Sequence, residues 1–186
     1  MKLASVWLFS GLSLVLVAGC DDGGGGGDGG GGSASCPAFT KITGKGFVAA
    51  AEALTWTLTV EELPAELAFN RAEVPLDVLE YQWGVGIDPE NDGTEDYKVA
   101  VTNYAHEGEV TGDILSNTQH DLYEVTETTG LIIGGIGATI SGNTFTFVLD
   151  LTENPGLPAI DETSGHRFLT QYYTGTEICG DESKGL

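Results

Sequence analysis

Positive charge is what this sequence has least of. Lys and Arg together number 7 in 186 residues, against 28 Asp and Glu, for a formal net charge of -21. That scarcity excludes nucleic-acid binding, because a phosphate backbone is held by clustered cationic side chains. Cysteine and histidine are also sparse, at 3 each. His106, His120 and His166 lie far apart in polar, loop-like stretches, without the i, i+4 spacing of a zinc-binding helix. No Gly-x-Ser-x-Gly elbow occurs, and Ser164-Gly165-His166 reads as a turn rather than a nucleophile. Carboxylate pairs carry no glycosidase signal where 25 acidic side chains fall within residues 36–186. The expectation is a protein that is not an enzyme.

Long apolar runs are missing too, except for Leu3 to Ala18 behind Lys2. At about 1.5 Å per residue that run falls short of a ~30 Å hydrocarbon core, which fits a secretory signal rather than a retained membrane helix. Its end, Val17-Ala18-Gly19-Cys20, resembles the lipobox of bacterial lipoproteins. The resemblance implies removal of residues 1–19, acylation of Cys20, and export to the periplasmic face or cell surface of a bacterial membrane. Each buried methylene contributes about 0.8 kcal/mol, so several acyl chains hold a soluble domain at the bilayer. Residues 20–35 then form a tether, since 23–32 are nine glycines and Asp28. With no side chains to bury and the largest ordering entropy, such a segment is expected to be a flexible spacer.

Residues 36–186 form one domain, with 6 basic and 25 acidic side chains and a net charge of -19. A field of that sign favours divalent cations or basic partners. With Cys20 assigned to the lipid, Cys36 and Cys179 remain, and in an exported protein two such thiols are expected to pair. The hydrophobic pattern has period two. Leu54, Trp56, Leu58 and Val60 alternate with threonines, and similar runs cover 79–87, 97–102 and 144–151, with weaker ones at 121–126, 131–140 and 167–173. Alternation of this kind marks half-buried antiparallel strands, with Trp56 and Trp83 on the core side. The fold class expected is all-β, an antiparallel β-sandwich of jelly-roll or immunoglobulin-like type. Ser141-Gly142-Asn143 is placed as a hairpin turn, and 64–74, between Pro64 and Pro75, as a short helix or a long loop.

One acidic loop carries possible chemistry. Asp88, Glu90, Asp92, Glu95 and Asp96 crowd the turn after the strongest strand, with Gly93 permitting a sharp bend. Calcium takes six to eight oxygen ligands, and such a loop offers carboxylates and carbonyls. Two readings stand, a calcium-stabilised loop through these five residues or a solvated acidic hairpin. An EF-hand is excluded, because the twelfth position is Val99 and the flanks are strands.

The run from Trp56 through Leu63-Pro64 to Tyr81-Gln82-Trp83-Gly84-Val85-Gly86-Ile87-Asp88, with Asp92-Gly93, Asp96-Tyr97 and the later Ser141–Phe147, resembles DOMON-like domains and family 9 carbohydrate-binding modules. The resemblance implies a secreted β-sandwich and a role in binding. It stops short of a ligand, since no haem-ligand pair is recognisable and no motif places the aromatic residues on which a sugar would stack. The functional expectation is a membrane-anchored, non-catalytic envelope or surface module of binding or adhesion type, with a glycan or protein ligand. The alternatives are an accessory domain or cryptic enzyme of polysaccharide breakdown, or a purely structural envelope lipoprotein.

Overall fold

The computed structural model describes residues 36–126 and 129–186. The signal segment 1–19, Cys20 and the tether 20–35 lie outside the described residues. The domain is an all-β sandwich with antiparallel pairing throughout. One sheet runs, edge to edge, β1 (Ile42–Ala49), β2 (Ala53–Val60), β10 (Thr144–Asp150) and β9 (Gly137–Ser141). The other runs β12 (Ile178–Lys184), β11 (Gly165–Tyr173), β4 (Leu79–Asp88), β5 (Tyr97–Tyr104), β7 (Gln119–Val125) and β8 (Gly130–Gly135). A short ribbon pairs β3 (Leu67–Phe69) with β6 (Val110–Gly112).

The period-two pattern becomes the core directly. Leu54, Trp56, Leu58 and Val60 of β2 and Phe145, Phe147 and Leu149 of β10 are buried against Trp83, Val85 and Ile87 of β4 and Val99 and Val101 of β5. Trp83 stacks on Phe145 with centroids 5.0 Å apart, joining the two sheets. The N–H groups of the two core tryptophans are satisfied, Trp83 by the Phe39 carbonyl at 3.1 Å and Trp56 by His166 Nδ1 at 3.1 Å. On its outer side the four-stranded sheet presents Thr55, Thr57 and Thr59 beside Thr144 and Thr146, where branched hydroxyl side chains fit the pleat and keep contact with water.

Two expectations are corrected, for His166 and His120, and one alternative is decided. Residues 64–74 contain no helix: prolines at both ends leave a loop in which Leu67 and Phe69 drop into the core as β3. His166, expected in a solvated loop, is buried at 3% exposure on β11. His120 lies half-buried on β7 and shares a hydrogen bond with Thr118 Oγ1, 3.1 Å away. The disulfide does form between Cys36 and Cys179, with Cα atoms 5.4 Å apart. The Ser141-Gly142-Asn143 turn also forms, joining β9 to β10 with Gly142 at φ +58°.

Candidate functional site

The acidic loop begins where β4 ends. Asp88 is 8% exposed, and its carboxylate folds the loop over itself. Oδ1 accepts the Asp92 N–H at 3.2 Å and Oδ2 the Gly93 N–H at 2.7 Å. Gly93 sits at φ +96°, a left-handed conformation that glycine adopts without strain. The Asp96 N–H then bonds the Ile87 carbonyl at 3.0 Å and delivers the chain into β5. This closure brings one carboxylate oxygen each from Asp88, Glu90 and Asp96 within 4.8 Å of one another.

The other two residues expected in the set are engaged elsewhere. Asp92 accepts the Thr94 N–H at 2.8 Å. Glu95 leans across Gly86, where a Cβ would lie 2.0 Å from its carboxylate, and its carboxylate stands 3.6 Å from Arg167. Burial pushes the Glu95 carboxyl above its ordinary range, opposed by Lys98 and Arg167. Lys98 is pushed down by the same burial, opposed by Glu95, and its Nζ lies 5.0 Å from the Tyr123 ring centre. Glu95 thus belongs to an ion network on the sheet face and not to the loop cluster.

Glu90 and Asp96 border a cleft of about 400 Å³ completed by Tyr97, Glu124, Leu157 and Pro158. Its lining includes no Lys or Arg. The Tyr97 hydroxyl is pushed up, by burial first and then by Glu124, Asp96 and Glu90, as expected where negative charges surround a group that would itself become negative. A second, mostly apolar cleft of about 300 Å³ shares the wall Leu157-Pro158 and is lined by Leu54, Leu151 and Ile160. Sequence reasoning missed Glu124, Leu157 and Pro158. They arrive from β7 and from the 151–164 loop, and no linear spacing connects them to Asp88.

The register fixes where this site stands in the molecule. Gly165 of β11 pairs with Asp88, whereas Tyr172 pairs with Tyr81 on one side and Cys179 on the other. Seven residues at about 3.3 Å each separate the two levels, so the acidic cleft lies about 23 Å along the sheet from the disulfide. Cys36 is thus tied at one end of the sheet and the Asp88–Asp96 loop stands at the other.

A platform for sugar stacking was not found among the described residues. Trp56, Trp83, Tyr81 and Tyr123 are buried, and the exposed large apolar side chains are all aliphatic. Tyr172 faces inward, stacked on Tyr81 with centroids 5.1 Å apart, and Tyr173 bonds the Gly175 carbonyl through its hydroxyl at 3.1 Å. Comparison with known protein families, with curated proteins and with solved structures finds no match.

Proposed function

We propose that the chain is an exported, lipid-anchored binding module of a bacterial envelope, without catalytic activity, that holds its acidic end away from the membrane. Acyl chains on Cys20 provide the anchor, and the glycine tether provides the reach. The observation that carries this reading is the placement of the Cys36–Cys179 bridge and the acidic cleft at opposite ends of the six-stranded sheet. A tether entering at Cys36 leaves the cleft as the part of the domain facing outward. Among the described residues no Trp, Tyr or Phe is fully exposed, so a pyranose finds no flat ring to stack on, which disfavours a glycan.

At the edge of the cleft, Glu90 and Asp96 with Asp88 behind them would hold a divalent cation of the calcium type, because three clustered carboxylates repel one another until a cation intervenes. Glu90 and Asp96 are the residues to test, since Asp88 already supports the loop through two backbone N–H groups. Millimolar calcium is expected to raise the melting temperature of the wild type, and the rise is expected to vanish in Glu90→Gln with Asp96→Asn. No rise in the wild type removes the cation. Mass spectrometry of the mature amino terminus tests the anchor: a cleavage elsewhere, or an unmodified Cys20, removes it.

A further inference from the structure

Two sheets leave four edges, and three of them are blunted by charge or by brevity. A strand edge exposes unpaired N–H and C=O groups that template another strand, so soluble proteins blunt their edges with charge, irregularity or brevity. β12 carries Asp181, Glu182 and Lys184. β1 carries Lys45 and an irregularity in register between Ile42 and Gly44. β9 is five residues long. β8 has neither charge nor proline, and a bulge at Ile133 interrupts its register with β7, where Tyr123 pairs with Ile132 and Leu122 with Gly134. It reads Gly130-Leu131-Ile132-Ile133-Gly134-Gly135 and closes the six-stranded order with β7 on its inner side. Among the described residues no strand pairs with its outer side. Leu131, Ile132 and Ile133 are 55%, 53% and 41% exposed, three consecutive aliphatic side chains bare to water in an acidic domain.

We propose that β8 is a docking edge for an extended segment of a partner protein, apolar along its length and basic at one end, added antiparallel as a seventh strand. This rests on the reading of the domain as a binding module and names the class of its partner. Two observations select that occupant over a second copy of the chain. Each domain carries -19, so two copies repel. Three aliphatic side chains also supply far less than the roughly 800 Å² per partner that a standard protein interface buries, whereas strand addition draws its affinity from main-chain hydrogen bonds. The basic end follows from the neighbouring charge. Leu131 pairs with Glu124 of β7, so one carboxylate stands a single strand in from the Gly130 end of β8, on the side of the acidic cleft. In antiparallel addition the partner's carboxyl-terminal end lies there, and a long Lys or Arg side chain at that end reaches across β8 toward Glu124, about 10 Å away between backbones.

The test uses the full chain in detergent and short fluorescent peptides of alternating valine and threonine. One peptide ends in lysines, one in glutamates, and one is the lysine peptide with N-methylated amides. The lysine peptide is expected to bind at least about tenfold tighter than the glutamate peptide by anisotropy. It is also expected to protect the amides of residues 131–135 from hydrogen exchange. The N-methylated peptide, which cannot pair as a strand, is expected not to bind. Leu131→Ser with Ile133→Ser, both at exposed positions, is expected to weaken binding at least about tenfold with the melting temperature unchanged. Equal affinity for the two charged peptides, or binding of the N-methylated one, overturns the proposal. Self-association in sedimentation that the double variant removes overturns it as well, by assigning the edge to a second copy. Anchoring and cation binding are read by mass and by melting temperature, so their failure is distinguishable from failure here.

Discussion

At the scale of single residues, His166 shows how one buried polar ring acquires a defined proton. Its Nδ1 accepts the Trp56 indole N–H at 3.1 Å, and its Nε2 stands 3.0 Å from the Asp161 carbonyl oxygen. A carbonyl only accepts, so Nε2 carries the proton and the ring is neutral. Phe47 packs against the ring at 4.4 Å between centroids. Burial pushes the His166 pKa below its ordinary value, opposed by Asp161. The folded protein therefore binds fewer protons than the unfolded chain just below the ordinary value of about 6.5. This contribution to stability is complete above that pH and is lost as pH falls toward the folded value. Melting temperature measured from pH 7.5 down to pH 5 is expected to fall more steeply in the wild type than in His166→Gln, whose amide does not titrate. Parallel profiles would show that His166 is not the group responsible. None of this was visible in the sequence, where Ser164-Gly165-His166 has the composition of a turn. The ring becomes a core group only because β11 carries it opposite Trp56, 110 positions away.

At the scale of elements, legibility followed contact range. β2 and β10 alternate in burial because each has one face toward the opposite sheet, whereas β4 and β5 are buried on both faces, so period two marked their inner residues but not the burial of Glu80, Gln82, Ala100 and Thr102. β1, with glycines at 44 and 46, and β12, with Asp181, Glu182 and Lys184, bury too little to alternate, so their strand character comes from pairing with a neighbour. β3 and β6 are three residues long and are held in place from outside. Arg71 supplies much of that hold. Its Nε bonds Glu80 Oε1 at 2.7 Å, its Nη1 bonds the Tyr172 hydroxyl at 2.6 Å, and its Nη2 bonds the Tyr173 carbonyl. Glu80 is fully buried and also accepts the Asn70 N–H at 2.6 Å. The segment after β3 is thereby pinned to both β4 and β11. Arg71→Ala strands the Glu80 charge in the core, and a loss of about 3–5 kcal/mol is expected in urea unfolding, the range for breaking a buried pair. A double change, Arg71→Met with Glu80→Leu, is expected to recover part of that loss. A single-variant loss under about 1 kcal/mol would mean that the pair behaves like a surface one.

At the scale of the whole molecule, the acidic loop was legible as a cluster but not as a cleft. Asp88, Glu90 and Asp96 are near neighbours in sequence, whereas Glu124 and the Leu157-Pro158 wall meet them only when the sandwich closes. The disulfide is likewise a whole-molecule feature, joining residues 143 positions apart. It ties the entering chain at Cys36 to β12, which pairs with β11 from Lys184 to Ile178. Two mechanisms of stabilisation follow, and they separate experimentally. If the bridge acts on the unfolded chain, closing a loop of this length contributes up to about 5 kcal/mol. Removing it then lowers the urea midpoint, and a less compact unfolded state raises the slope of the transition. If it acts on the folded state, by pinning the edge strand, amide exchange accelerates in 178–184 before any global loss. Cys36→Ser with Cys179→Ser is expected to show the first pattern, because β12 keeps its ladder to β11 and its Asp181 carboxylate still accepts the Ile42 N–H at 2.8 Å. Fast exchange confined to β12, with an unchanged midpoint, would instead make the bridge a local clamp on that edge strand.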